Sequence, residues 1–477
     1  MKFRLQLIIE SNAGEAQTTE DVTCLDRCSC RPEEIGLTLA EAKQLLGAVQ
    51  QRIVDEQVAN YLSAQSHCAD CGCELARKGQ HEIPFRTLFG ELRLTSPRLY
   101  RCSCREKTRA SFSPLPMLLP ERTAPELVYL ETKFAALMSY GLTVDILGEI
   151  LPIGQQLNTR SIRRQVHRIA ERGDSELGQE QWAFIDGCQR DWNQLPQPDP
   201  PIAVALDGAF VHAKDQRSRT EGWFEVIVGK SMPAEGEAKC LAFVQTYDEK
   251  PKRRLFELLK AQGMTMNQQV LFLTDGGEDV RELPLFLNPE AEHILDWFHI
   301  TMRLTDMGQI AKGLTGVWRQ ADEGEDEREE FDRDLTEKRL ERLKWYLWHG
   351  NVYQALHVLE LIEWELEDWE EDNERASQLL RVVREFAHYV DANQQAIPNY
   401  GDRYRHGEPI STSFVESAVN QVVSKRMVKK QQMRWTKRGA HLLLQVRTQA
   451  LNGDLRQTFC RWYPAMKTSG EEPPRAA

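Results

Sequence analysis

Two apolar runs that each end in Asp-Gly constrain the fold of this chain more than any other feature. Residues 202–213 read IAVALDGAFVHA and contain Asp207, and residues 269–280 read QVLFLTDGGEDV and contain Asp275. A buried carboxylate costs several kcal/mol unless something pairs with it. We therefore predict two strands that bring two acids to one edge of a sheet, where carboxylate oxygens suit Mg²⁺ or Mn²⁺.

The order of elements around these runs indicates the type of sheet. Three strands come first, then a helix over PKRRLFELLKAQG, the Asp275 strand, a short helix at 278–287 and another apolar strand, AEHILDWFHI. This order is typical of a ribonuclease-H-like fold, in which the first and fourth strands are neighbours. The prediction is that Asp207 lies next to Asp275.

The length of 477 residues leaves room for several domains around this core. We predict an α/β multidomain protein with a ribonuclease-H-like catalytic core and an all-helical insertion. The expected parts are an N-terminal region with a zinc ribbon (1–112), a helix-turn-helix domain (121–185), the first part of the core (202–300), the helical insertion (301–400), and the C-terminal helices and basic tail of the core (401–465).

The cysteines indicate metal binding, because eight of the eleven precede residue 105. A hairpin sequence lies between the two pairs Cys68/Cys71 and Cys102/Cys104. Four thiolates at the ends of a hairpin satisfy tetrahedral Zn²⁺ and stabilise a piece too small for its own core. The alternative is four reduced cysteines without a ligand.

Three further cysteines allow a second metal site. Cys24, Cys28 and Cys30 supply three thiols, for which Cys73, His67 or His81 could provide the fourth ligand. Simple surface thiols are the competing interpretation.

A basic helix after a helix and a turn indicates DNA binding. Helices are expected over 124–140 and 143–150, followed by a helix from Arg160 to about Leu177. That layout is typical of a helix-turn-helix DNA reader, although a three-helix bundle with a basic surface gives the same pattern. The candidate DNA contacts on the last helix are Arg160, Arg163 and Arg164.

Charge is unevenly distributed along the rest of the chain. The net charge is −12, yet residues 417–453 contain no Asp or Glu. A local basic face can bind phosphates whatever the total charge. Trp435 either stacks on an unpaired base or is a buried structural residue. The candidate DNA contacts in this segment are Lys425, Arg426, Lys429, Lys430 and Arg434.

A third acid precedes the basic segment. STSFVESAVNQVV is expected to form a helix capped by Ser411 or Ser413, with Glu416 in its first turn. A first-turn Glu is routine because the helix dipole favours it. Beside Asp207 and Asp275, however, it supplies the acid that a metal site of this kind needs.

These residues together resemble a known family. Asp207, Asp275, the D-x-x-H of Asp296 to His299, and the Val-Glu-Ser around Glu416 resemble the DDE transposases of the Mutator-like superfamily, most closely the Kra-type bacterial insertion-sequence transposases. The resemblance extends to the RTLFGELRL segment and to the tail after Glu416, so it covers most of the chain.

The resemblance implies a transposase that cleaves and joins DNA with two Mg²⁺ (or Mn²⁺) ions. Asp207, Asp275 and Glu416 would be the catalytic, metal-binding triad, and His299 would position a phosphate or the scissile strand. Alternatively, Asp296 only caps the next helix and His299 is bonded locally. Cys68, Cys71, Cys102 and Cys104 would hold the structural Zn²⁺.

Partners and competing functions follow from this interpretation. Double-stranded DNA is the expected partner, as transposon ends and target, and at least a dimer is expected because two ends must be held at once. The sequence contains no apolar run long enough to span a membrane, and we expect a cytoplasmic protein. The alternatives are a nuclease with the same fold and a DNA-binding regulator derived from a transposase.

Overall fold

The structure is a computed structural model that describes most of the chain. The described residues are 1–10, 17–27, 31–104, 110–153, 157–181, 194, 201–214, 222–233, 235–265, 268–277, 291–314, 318–320, 328–370, 373–428 and 433–466. They form two compact units, Met1–Glu171 with Gly453–Ala477, and Arg172–Asn452. The finer five-part division stays a prediction. None of the described helices is long and apolar enough to cross a membrane.

The first unit combines two β-hairpins with helices. Its strands are β1 (Lys2–Glu10), β2 (Gln17–Asp26), β3 (Arg77–Thr87), β4 (Gly90–Tyr100) and β5 (Ser111–Phe112). Its helices are α1 (Leu39–Ala64), α2 (Pro114–Leu118), α3 (Pro125–Leu137), α4 (Tyr140–Ile150), α5 (Thr159–Glu176, whose last turn belongs to the second unit) and, late in the chain, α14 (Leu455–Trp462).

Local sequence explains where α1 begins and what it covers. Thr38 and Glu41 form a reciprocal capping box at its N-terminus, which satisfies backbone donors that the first turn leaves open. Val54 of α1 then packs with Ile83 and Leu92 of the β3–β4 hairpin. The apolar residues of α1 therefore cover one face of the β3–β4 hairpin.

The first two helices of the basic three-helix segment share one apolar core. Leu127 of α3 and Leu147 of α4 pack together with Ile153 and Leu157 from the connection to α5. The connection between α4 and α5 runs from Leu151 to Asn158, longer than the three or four residues of a standard helix-turn-helix.

The second unit is built on a five-stranded mixed sheet. Its strands are β6 (Ile202–His212), β7 (Trp223–Met232), β8 (Lys239–Val244), β9 (Val270–Thr274) and β10 (Glu292–Leu295), in the spatial order β10-β9-β6-β7-β8. β6, β7 and β8 are antiparallel, whereas β9 and β10 run parallel to β6. The neighbouring positions of the first and fourth strands are as expected.

Helices cover the sheet and continue into a helical region. They are α6 (Pro251–Ala261), α7 (Trp297–Lys312), α8 (Arg333–Trp348), α9 (Val352–Glu367), α10 (Glu374–Ala392), α11 (Tyr400–Arg405), α12 (Ser413–Val419) with a π-helical continuation (Asn420–Val428), and α13 (Lys437–Leu451). A short strand pair, β11 (Trp318–Gln320) and β12 (Arg328–Glu330), interrupts the helices of the 301–400 region. The helix expected at 278–287 lies outside the described residues.

One predicted strand is shorter than expected. AEHILDWFHI was expected to be a strand throughout, but β10 ends at Leu295 and α7 begins at Trp297. The reason is Asp296, whose carboxylate accepts the Phe298 N–H at 2.9 Å and caps the helix. Because apolar residues lie on both sides of Asp296, the sequence did not show where the strand ends and the helix begins.

Burial of Glu131 on α3 makes the stability of the first unit depend on pH. Burial raises the pKa of Glu131 to about 7, with Arg86 and Arg168 opposing the shift. A folded-state pKa above the usual 4.5 means that the folded chain holds a proton that the unfolded chain has lost. The free energy of unfolding therefore falls as the pH rises from about 4.5 to about 7.

We expect Glu131→Gln to remove this dependence, because glutamine stays neutral at every pH. At pH 8 the variant should exceed the wild type in unfolding free energy by about 1–3 kcal/mol. Thermal melting at pH 5 and pH 8 measures the difference, with Glu149→Gln as an exposed control on α4. The assignment would be contradicted if the melting temperature of the wild type and that of Glu131→Gln fell by the same amount between pH 5 and pH 8.

Candidate functional site

The alternation of residues along β6 places Asp207 on the face of the sheet opposite α6. Ile202, Val204 and Leu206 pack into the apolar core that α6 completes. Ala203, Ala205 and Asp207 therefore share the other face, since side chains alternate along a strand. Two small alanines leave room there for α12, which packs on β6 and β7.

Parallel pairing brings Asp275 to the same level as Asp207. Ala205 of β6 is opposite Leu273 of β9, and each acid lies two residues further along its strand. After Asp275 the chain turns at Gly276, which has φ of 82°. A Cβ at Gly276 would lie 2.6 Å from Leu295, so the Asp-Gly sequence has a steric reason.

Glu416 enters the site on the first turn of α12. This helix is attached to the sheet by Lys230 of β7, which donates to the Phe414 carbonyl at 3.2 Å. Glu416 itself is exposed, and Val415 beside it is buried. The cap expected at Ser411 or Ser413 is wrong: the N-cap residue is Thr412, and its hydroxyl bonds Asp296 instead of the helix N-terminus.

The D-x-x-H segment forms the helix cap and the local bond expected of Asp296 and His299. Asp296 caps α7 and is fully buried, and its Oδ2 lies 2.6 Å from Nδ1 of His299. The local bonding leaves Nε2 of His299 without a hydrogen-bond partner among the described residues. The imidazole is thus oriented by Asp296 while its other nitrogen stays available.

Electrostatic interactions connect these side chains. Burial raises the pKa of Asp207, the charges of Asp275 and Glu416 raise it further, and His299 opposes them. The hydrogen bond to Asp296 raises the pKa of His299 against the effect of burial, and Asp275 and Asp207 add to it. Acids that are far apart in the sequence therefore act on one another in the fold.

Among the described residues, the group of metal-binding side chains whose ligand atoms converge consists of four cysteines, and these atoms all lie within 4.8 Å of one another. Metal binding by Asp207, Asp275 and Glu416 stays a prediction.

The basic segment after Glu416 is partly buried. Lys425 and Arg434 are exposed, whereas Arg426 is buried with its guanidinium 5.5 Å from the centre of the Trp435 ring. Trp435 is also buried, and its backbone extends the end of β6 by bonding His212. The structural interpretation of Trp435 is the one that fits. Lys429 and Lys430 lie outside the described residues.

A buried arginine supports the π-helical stretch between Glu416 and this segment. Arg447 of α13 donates to the Val422 carbonyl at 2.7 Å and to the Gln421 carbonyl at 2.5 Å. Burial, with the nearby charge of Arg426, lowers the pKa of Arg447 to about 10. Arg447 thus supplies hydrogen bonds to backbone groups of the widened helix and is not available to DNA.

The candidate DNA contacts on α5 face outward. Ile162 and Val166 are buried, whereas Arg160, Arg163 and Arg164 are exposed. This amphipathic arrangement leaves the three guanidinium groups accessible. Contact with DNA by these arginines stays a prediction.

The four cysteines of the hairpin in the first unit converge as expected. Antiparallel pairing of β3 with β4 brings Cys68 and Cys71, before β3, to Cys102 and Cys104, after β4. The Sγ atoms of Cys68 and Cys104 are 3.5 Å apart, and those of Cys71 and Cys102 are 3.4 Å apart. The group could hold a metal such as zinc.

Backbone geometry favours thiolates in the first pair. Gly72, with φ of 71°, closes a tight turn in which its N–H donates to the Cys68 carbonyl. A backbone hydrogen bond from Cys73, together with Cys102, lowers the pKa of Cys71 to about 6. Cys24 is exposed, and Cys28 and Cys30 lie outside the described residues, so the second metal site stays a prediction.

Two residues beside the candidate site were not expected from the sequence. Thr412 donates to Asp296 through both its N–H and its hydroxyl, and Tyr389 of α10 donates its hydroxyl to the Asp275 carbonyl at 2.8 Å. Thr412 stands within the Ser-Thr-Ser run that signals a helix start, but its bond partner is more than a hundred residues away. No local pattern reveals such a contact.

Comparisons with known proteins add little. The chain is similar to a chain of the Drosophila P element transposase strand transfer complex, over 71% of this chain and 80% of that chain, with 9% sequence identity and a TM-score of 0.23. A likeness at this TM-score carries no argument about the fold or function. No protein-family model matches the sequence, and no curated protein matches it.

We expect the purified protein to carry about one zinc ion per chain, measured by elemental analysis. Cys71→Ser and Cys102→Ser should lose the zinc and lower the melting temperature, because the hairpin then loses a tether. Cys460→Ser, on α14, is the control and should keep it. A zinc-free wild type with a folded first unit would rule out the site.

Asp207 should lower the stability of the folded chain when no divalent cation is present. Because its folded-state pKa lies above the usual value, ionised Asp207 destabilises the folded chain at neutral pH. In EDTA at pH 7.5, Asp207→Asn should melt about 2 °C or more above the wild type. Asp391→Asn, an exposed site on α10, should change nothing. A lower melting temperature for Asp207→Asn would mean that Asp207 is held by favourable contacts.

Proposed function

We propose that this protein is a metal-dependent DNA transposase of the DDE type. The observation that carries the proposal is the electrostatic coupling of Asp207 to Asp275, Glu416 and His299, which four separate segments bring to one edge of a sheet. The carboxylates of Asp207, Asp275 and Glu416 repel one another when ionised, and this repulsion lowers the stability of the fold. A reaction that needs bound cations explains why three such residues are placed together.

The core is proposed to be ribonuclease-H-like, as the element order suggests. The strand order β10-β9-β6-β7-β8 and the parallel pairing of β6 with β9 support this assignment. The helical region between β10 and α12 would then be an insertion in the core. In this arrangement, the helix with the third acid packs against the central strands.

The donor set fits the implied metal. Asp207, Asp275 and Glu416 offer the hard oxygen ligands that Mg²⁺ prefers. Burial, with the charges of Asp275 and Glu416, raises the pKa of Asp207, and a bound cation would offset the cost of ionising it. When bound, two Mg²⁺ ions would stabilise the entering and leaving oxygens of an in-line displacement at phosphorus. No side-chain nucleophile is required, so no covalent protein intermediate is proposed.

His299 would act on the phosphate. Asp296 orients its imidazole through Nδ1 and raises its pKa, which increases the cationic fraction near neutral pH. A cationic imidazole with Nε2 available can donate a hydrogen bond to a non-bridging phosphate oxygen. His299 would in this way hold the scissile strand beside the carboxylates.

DNA binding is assigned to the exposed basic residues. Arg160, Arg163 and Arg164 on α5 would bind the transposon ends, and Lys425 and Arg434 would hold the backbone near the site, together with Lys429 and Lys430. Arg426 is proposed to act only indirectly, because it is packed against Trp435. Holding two ends at once requires at least a dimer.

We expect Asp207→Asn, Asp275→Asn and Glu416→Gln each to reduce DNA cleavage at least about 100-fold, because each removes a ligand that stabilises the transition state. DNA binding should stay close to wild type. The assay uses a labelled duplex of the DNA that flanks the coding region, a plasmid target and Mn²⁺. Asp391→Asn is the matched control.

The products distinguish the alternatives. Labelled 3′ ends joined to plasmid indicate a transposase, cutting without joining indicates a nuclease, and binding without cutting indicates a regulator. A triad variant that still cuts would remove its residue from the proposed site.

A further inference from the structure

The buried carboxylate of Asp296 contacts two segments that are distant in the sequence. On α7 it accepts the N–H of Phe298 at 2.9 Å and bonds Nδ1 of His299 at 2.6 Å. From the segment before α12 it accepts the N–H of Thr412 at 3.0 Å and the Thr412 hydroxyl at 2.5 Å. Both Asp296 and Thr412 are fully buried.

These bonds continue to Glu416 through the backbone. The Thr412 carbonyl accepts the N–H of Val415 at 2.7 Å and that of Glu416 at 3.3 Å. The position of Thr412 therefore sets where the first turn of α12 begins. A second bond, from the Trp297 N–H to the Ile410 carbonyl at 3.1 Å, holds the same two segments together.

Asp296 is also attached to the strand that carries Asp275. Its N–H donates to the Thr274 carbonyl at 2.9 Å, and Thr274 directly precedes Asp275. One residue is thus connected, within one or two bonds, to the backbone of Asp275, the imidazole of His299 and the first turn that bears Glu416.

Helix capping alone does not explain this arrangement. A capping aspartate needs the backbone N–H groups of its own helix, which Asp296 obtains from Phe298. The two bonds from Thr412 and the bond to His299 are additional, and burial makes each of them costly to lose. Burial by itself would raise the pKa of Asp296, but the bonds from His299 and Thr412 lower it below its usual value.

We propose that Asp296 is a positioning residue that fixes Glu416, through Thr412, relative to the strand carboxylates, and so sets the affinity of the site for divalent cations. The inference rests on the proposed metal-dependent function. Asp296 itself is not assigned as a ligand. It acts on the ligands as outer-sphere partners do in metal sites, where their loss typically weakens binding 10–100-fold.

The test measures Mn²⁺ binding to the full chain by electron paramagnetic resonance, so that it does not depend on finding the right DNA. Thr412→Val keeps the shape and the backbone N–H but removes the hydroxyl, and should weaken binding about tenfold. Thr412→Ser restores the hydroxyl and should bind within about twofold of the wild type. Asp207→Asn identifies which binding belongs to the site.

A second measurement separates the contact of Asp296 with His299 from its contact with Thr412. Asp296→Asn should lower both Mn²⁺ affinity and the pKa of His299, followed by NMR of the imidazole. Thr412→Val should lower Mn²⁺ affinity alone. If the valine variant fails to fold, Thr412→Ala makes the same comparison with Thr412→Ser.

The other possible outcomes contradict either the positioning role or the proposed function. Equal affinity in the valine, serine and wild-type chains, with only the melting temperature changed, would show that Asp296 and Thr412 are merely structural. Equal weakening by valine and serine would show that the hydroxyl is not responsible. If the wild type shows no Mn²⁺ binding that is lost in Asp207→Asn, the proposed function is wrong, and so is the positioning role.

Discussion

Repulsion between carboxylates at the edge of the central sheet is the constraint on which the second unit depends. Asp207 lies within β6, level with Asp275, which directly follows the parallel neighbour β9. Apolar residues fix the register of the two strands, so the two acids cannot separate without breaking the sheet. Glu416 approaches the same edge on a helix packed against β6 and β7. The apolar core thus imposes a charge arrangement that would not form by itself, and hydrogen bonds around it keep the surrounding segments in place.

Much of this arrangement follows from local sequence. Apolar runs with β-branched residues gave the strands. The Asp-Gly dipeptide marked the end of β9, because Gly276 has no room for a side chain. The same expectation for the other run was wrong, since β6 continues past Asp207 and Gly208 to His212. The convergence of Cys68, Cys71, Cys102 and Cys104 followed from the pairing of a single hairpin. In each case the decisive contacts lie within one supersecondary unit, which makes them visible as spacing.

Long-range hydrogen bonds were not visible in this way. Thr412 has the appearance of an ordinary helix cap, yet its hydroxyl bonds Asp296. Arg426 and Trp435 stand in a basic segment that suggests a DNA surface, but both are buried against one another. Composition gives the charge of a segment, whereas the direction of each side chain depends on helix geometry and on what packs against it.

The π-helical stretch that follows α12 has a mechanical consequence. Such a helix holds more residues per turn than an α-helix, and runs of this kind are rare in proteins. Arg447 bonds the carbonyls of Gln421 and Val422, and Val422, Val423 and Met427 of the same stretch are buried. The exposed Lys425 therefore projects from a backbone that α13 and the apolar core anchor, so the fold itself sets the direction of this cation.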